Sequence, residues 1–150
     1  MNKLLLSFIA LSAVTSLSRA AAPSEQLQKY TGSASYAMMI CSLELKTALT
    51  INETKRLGAE RYDLPEQMPP DWHGCITNQK IEIKSSYEAA LKTVKKVSAK
   101  AALKEHYIIV LTNLDELEPK IDERKIDYTR RQSANNQRLN EKWNRFEIEQ

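Results

Sequence analysis

Residues 80–111 read KIEIKSSYEAALKTVKKVSAKAALKEHYIIVL, and the spacing of their apolar side chains decides the fold class. Ile83, Tyr87, Ala90, Val94, Val97, Ala101, Ile108 and Leu111 recur mostly by threes and fours. At about 100° per residue they gather on one side of a helix, in a narrow seam of coiled-coil type. Lys92, Lys96 and Lys100 project from the opposite side. The turn from Tyr107 to Leu111 is apolar all round, so it must be covered from several directions or stand exposed as a sticky patch. Two further helices would cover it, as would one helix and a second copy of the chain, a homodimer. Ile108 is expected in its most tightly packed layer. A strand competes only here and over Lys80–Lys84, where apolar and charged residues alternate.

The helical reading extends in both directions. Glycine occurs only at 32, 58 and 74, and Pro119 is the one proline after Gly74. A β-protein of this length needs many more turn residues. Upstream, Tyr30, Ala34, Ala37, Met38, Cys41, Leu45, Ala48 and Leu49 form one helical face, with Ser24 as N-cap and Gly58 as a C-terminal stop. Pro65, Pro69 and Pro70 mark a loop over residues 59–74. Downstream, Leu139, Trp143 and Phe146 share a face, whereas Arg130 to Arg138 is polar all round and is expected to project beyond the core. Asn113 with Glu116 has the form of an N-cap and its partner three residues on. The expected fold is all-α: an elongated bundle of about three helices, roughly 24–58, 72–113 and 116–149, in a single domain over 21–150. The break between 112 and 119 is not located by the sequence.

The first twenty residues form a separate unit. Lys3 precedes an uncharged apolar run from Leu4 to Leu17, and Ser18 and Ala20 supply small residues at −3 and −1. This is the pattern of a cleaved bacterial signal peptide, residues 1–20, with the mature chain starting at Ala21. The run is shorter than the roughly 20 residues that span a bilayer, so no stable membrane insertion is expected after cleavage. The expected compartment is the periplasm or the exterior.

That compartment sets the reading of the two cysteines. Cys41 and Cys75 are expected to form a disulfide that staples the bundle. Zinc sites need closer ligand pairs than His73, Cys75, Cys41 and His106 offer. Redox pairs and attached haem need C-x-x-C spacing, which is missing. No metal and no cofactor are expected.

The whole chain carries 22 basic and 19 acidic residues. Losing Lys3 and Arg19 with the leader leaves 20 against 19, so net charge implies no nucleic-acid partner. The charge is uneven, however. Residues 80–104 hold seven lysines against Glu82 and Glu88, while residues 105–118 hold four acids and no base. The basic stretch has no arginine and only Tyr87 as an aromatic, unlike surfaces that stack bases. An anionic envelope component is the better match.

No nucleophile elbow, zinc-protease motif or phosphate-binding glycine loop is present, and neither His73 nor His106 has an evident catalytic companion. The expected function is therefore non-catalytic protein–protein interaction in the bacterial envelope, of adaptor, chaperone or inhibitor/immunity type. The candidate surfaces are Met68 and Trp72 in the proline-rich loop and Lys92, Lys96 and Lys100 in the basic stretch. The loop can equally turn Trp72 inward. The alternatives are a binder of anionic envelope components through residues 80–104 and an enzyme of an unfamiliar kind, which an open pocket holding a histidine beside a carboxylate would favour.

Overall fold

The computed structural model describes residues 23–53 and 70–150; the leader, Met68 and the rest of the 54–69 segment lie outside the described residues. Four helices follow one another: α1 (Glu25–Glu53), α2 (Pro70–Thr93), α3 (Val97–Asp115) and α4 (Lys125–Glu149). No strand occurs among the described residues. Cross-chain bonds give the directions. Ser24 meets Thr93 and Cys41 meets Cys75, so α1 and α2 are antiparallel. Lys80 pairs with Asp115, so α3 folds back along α2. Glu105 meets Lys142 while Asn113 meets Asn135, so α4 runs against α3. The result is an up-down-up-down arrangement of two helical hairpins.

The expected helix over 72–113 is thus two helices, and the count rises from three to four. The chain reverses at Val94-Lys95-Lys96, without glycine or proline. Thr93 turns its hydroxyl back onto the carbonyl of Ala90 at 2.8 Å and also meets Ser24 at 3.0 Å. Val94 is buried in the corner. Beyond the corner the inward register changes from the 83–87–90–94 seam to Ala99, Ala102, Leu103, His106, Val110 and Leu114. Val97 stands 83% exposed and Ala101 is exposed. Ile108 is 49% exposed and is not in the packed layer; Val110, fully buried, takes that place. A seam extrapolated through an unseen corner rotates α3 about its axis, which is why these three were misplaced.

The other boundaries follow from local chemistry. The Ser24 hydroxyl accepts from the Leu27 amide at 3.3 Å and caps α1. Pro70 opens α2, where a missing N–H costs nothing. Asn113 caps no helix: it lies inside α3, fully buried, and α3 continues to Asp115. Its acidic end opposes the helix dipole, and Lys80 answers Asp115 while Arg138 answers Glu116. The third predicted helix, 116–149, begins only at Lys125. Residues 116–124 form a loop anchored by buried Leu117 and Pro119, with Asp122 in the left-handed region at φ 62°. Aspartate tolerates that conformation better than most residues.

The Cys41–Cys75 disulfide is present, with Cα atoms 5.9 Å apart. Residues 70–74 of the loop expected over 59–74 belong instead to the start of α2. The polar middle of α4 does not project. Asn135 is fully buried, and Arg131 is fixed on the carbonyls of Glu116 and Glu118 and on the Glu123 carboxylate.

The hairpins join through an aromatic chain. Tyr107 stacks on Tyr87 at 4.1 Å, Tyr87 meets Tyr30 edge-on at 5.9 Å, and Tyr30 meets His106 at 5.6 Å. His106 meets Trp143 at 5.2 Å, and Trp143 meets Phe146 at 5.0 Å. Such edge-on pairs add to the burial of the rings themselves. All four helices contribute to this chain.

Candidate functional site

Three surfaces merit consideration, and the first is a groove between the hairpins. The described parts of α1 and α4 stay more than 8 Å apart between Cα atoms along their whole length. The space between them is a groove of about 340 Å³. Ala34 and Met38 of α1 and Leu139 and Trp143 of α4 form its walls. Exposed Ser35, Asn136 and Asn140, with half-buried Thr31, form its rim. Among the described residues, no charged side chain lines it.

His106 of α3 forms the floor, 5% exposed. Its Nδ1 lies 2.8 Å from the Tyr30 hydroxyl. Burial pushes the imidazole pKa down to about 4, so the ring is neutral at physiological pH. Burial pushes the Tyr30 phenol above its ordinary value, so it remains a protonated donor. Tyr30 is fully buried and has no other acceptor among the described residues, so its proton goes to Nδ1. The ring's own proton then sits on Nε2. That atom has no protein partner among the described residues, yet it is not sealed off from solvent. The partner of His106 is thus a tyrosine and not a carboxylate.

The second surface is the outer face of α1. Residues 30–43 contain no charged side chain. Tyr30, Ala34, Ala37 and Cys41 face the core, while Tyr36, Met39 and Leu43 stand exposed on the opposite side, Met39 at 62%. Gly32 precedes them in the same row, and among the described residues nothing lies within 4 Å of where a β-carbon would stand.

The third is the basic end of the bundle. Lys92 lies in the last turn of α2, Lys95 and Lys96 are in the corner, and Lys100 lies in the first turn of α3; all four are exposed. They are gathered about a turn and do not form a stripe on one helix. Lys80 and Lys84, further along α2, are paired with Asp115 and Glu88. Trp72 is buried and offers no surface.

The groove and the exposed row on α1 escaped the sequence. His106 was visible as a helical histidine, but its neighbours depend on a corner without a marker. The uncharged stretch 30–43 was a usable signal, since a helix with one buried face has no need of a second apolar one. Comparison with known protein families, with characterised proteins and with solved structures finds no match.

Proposed function

We propose that this chain is an exported, non-catalytic interaction protein of the bacterial envelope, and that it binds a helix of another protein along the outer face of α1. The observation that carries this reading is the exposed row Tyr36, Met39 and Leu43. These residues recur at i, i+3 and i+7, the spacing with which one helix meets another. Bare Gly32 at one end leaves room for a partner backbone to come close. Three side chains over about 10 Å of helix are too few for the large apolar interface of an obligate dimer. A second copy is therefore a poorer occupant than a partner that adds contacts of its own.

Export rests on the 1–20 leader pattern, supported by the disulfide and by the lack, among the described residues, of any helix long and apolar enough to cross a membrane. N-terminal sequencing of exported material should begin at Ala21; a full-length chain held in the membrane fraction overturns this part.

The test of the surface places a photo-crosslinking residue at Met39, with Glu82 of α2 as a control position, in cells that make the chain. One defined adduct is expected at 39 and none at 82, and Leu43→Glu should abolish it. An adduct of twice the chain's mass would assign the face to a second copy. No adduct, or one indifferent to Leu43→Glu, overturns the surface.

A second reading draws on the cluster of Lys92, Lys95, Lys96 and Lys100 at one end of the bundle. Exposed lysines so gathered suit an anionic envelope polymer, and such binding would weaken steeply with salt.

A further inference from the structure

We propose that the groove between α1 and α4 is a binding site for an uncharged, largely apolar small molecule whose single carbonyl oxygen accepts the Nε2–H of His106. This site is independent of the outer face of α1. Its walls are built from opposite hairpins, Met38 on one side and Leu139 with Trp143 on the other. An enclosed apolar cavity of about 150 Å³ accommodates a benzene ring; this groove offers about 340 Å³. Its size lies within the ordinary range of ligand pockets, about 300–1,000 Å³.

Three features define the ligand. The walls require apolar surface. The floor offers one hydrogen-bond donor, held in place by the Tyr30 hydroxyl on the other side of the ring. The Nε2–H has no protein partner among the described residues and opens onto the groove, so a ligand acceptor can take the place of water there. Finally, no cation among the described residues lines the groove. Lys142 and Arg145 nearby on α4 are both committed to Glu105. A carboxylate would lose its hydration without meeting a countercharge, so the acceptor is a ketone, ester or amide oxygen. Asn136 and Asn140 at the rim leave the mouth polar and open to water.

The probes are three molecules of matched size: 4-phenylbutan-2-one, butylbenzene and 4-phenylbutanoate. Binding to the folded, disulfide-bonded chain is followed by the NMR shifts of the His106 Nε2–H and the Trp143 indole N–H. The ketone should bind about 3–10-fold more tightly than the hydrocarbon, the range expected of one neutral hydrogen bond. It should also bind more tightly than the carboxylate, and it should move the Nε2–H signal. His106→Phe should erase the preference for the ketone and retain hydrocarbon binding. Ser35→Trp, a rim change outside the buried pair, should block all three probes. Should His106→Phe fail to fold, the Nε2–H shift in the unaltered chain decides. Equal affinity for ketone and hydrocarbon overturns the role of His106. So does a ketone that leaves the Nε2–H unmoved, or a preference that survives His106→Phe. Tighter binding of the carboxylate overturns the assignment of an uncharged ligand. Binding of none of the three, or binding indifferent to Ser35→Trp, overturns the site.

Discussion

The two hairpins are held together by different physics. Between α1 and α2 the contact is apolar and covalent: Leu45, Leu49, Ile83 and Ala90 are buried, and Cys41–Cys75 locks the helices together. Between α3 and α4 much of the contact is polar. Asn113 donates to the Asn135 carbonyl at 3.1 Å, and Asn135 donates to Glu116 at 2.8 Å. Arg131 meets Glu123 at 2.6 Å, and Glu105 accepts from Lys142 and Arg145. A disulfide and a dry seam respond weakly to salt and acid, whereas a lattice of carboxylates and cations responds to both. The first hairpin should therefore yield to reductant and the second to acid.

The largest expected effect is on the covalent side. Replacing both Cys41 and Cys75 by Ala reopens a segment of 34 residues in the unfolded chain. Chain-entropy reasoning gives a loss of about 3–4 kcal/mol, or roughly 10–20 °C in thermal midpoint. Circular dichroism on heating measures it. The loss should be the same at low and high salt. A salt-dependent loss would mean that the first hairpin also leans on charge.

The next effect belongs to the place where the hairpins meet. In the unfolded chain an imidazole takes its proton near pH 6.5, whereas folded His106 stays neutral down to about 4. Between those values the unfolded chain binds more protons, so stability falls as pH falls and levels off below about 4. The loss over that window is about 3 kcal/mol. Denaturant titrations at pH 7, 5.5 and 4.5 should show it, and His106→Gln should flatten the profile. An unchanged slope in that variant would place the responsible group elsewhere.

Arg131→Met is expected to cost about 2 kcal/mol, less than a fully buried ion pair because both partners retain some water. The Arg131 guanidinium holds the Glu123 carboxyl below the usual carboxylate range, and Lys142, bonded to Glu105, does the same there. A depressed carboxylate stabilises the fold above its ordinary pKa and stops doing so as pH drops through the folded value. Acid loss from these groups therefore begins below about pH 4.5, a lower window than that of His106. Arg131→Met should shrink this lower step and leave the upper one intact. If both steps shrink, the two regions are coupled through α3.

These differences also explain what could be read in advance. Tyr30, Ala34, Ala37, Cys41, Ile83, Tyr87 and Ala90 were legible because an apolar seam has a period, and Cys41 had one possible partner in Cys75. The second hairpin has little such signal. Asn113, Asn135 and Arg131 resemble surface residues until the structure supplies their partners, and the loop that engages Arg131 is ordered by Leu117 and Pro119 over a few irregular residues. The candidate groove was illegible for a further reason. Its walls come from α1 and α4, about a hundred residues apart, and their meeting depends on a corner at 94–96 that has no glycine, proline or side-chain cap.

That corner provides the smallest expected effect. Lys92, Lys96 and Lys100 are exposed, and Lys96 occupies the α3 cap position without a side-chain hydrogen bond. What turns the chain is apolar and neutral: buried Val94, and Thr93 bonded to Ala90 and Ser24. Changing the three lysines together to glutamine should therefore leave the thermal midpoint within a few degrees, as exposed charges contribute little. Removing three neighbouring positive charges relieves some mutual repulsion, so any shift should be upward and should vanish in high salt. The same triple variant should bind an anionic polymer, heparin for example, more weakly than the unaltered chain at low salt. A fall in midpoint of ten degrees or more would show that the corner depends on its lysines. It would then belong with the charged hairpin and not with the apolar one, and the boundary between the two kinds of packing would move from α3 to the corner itself.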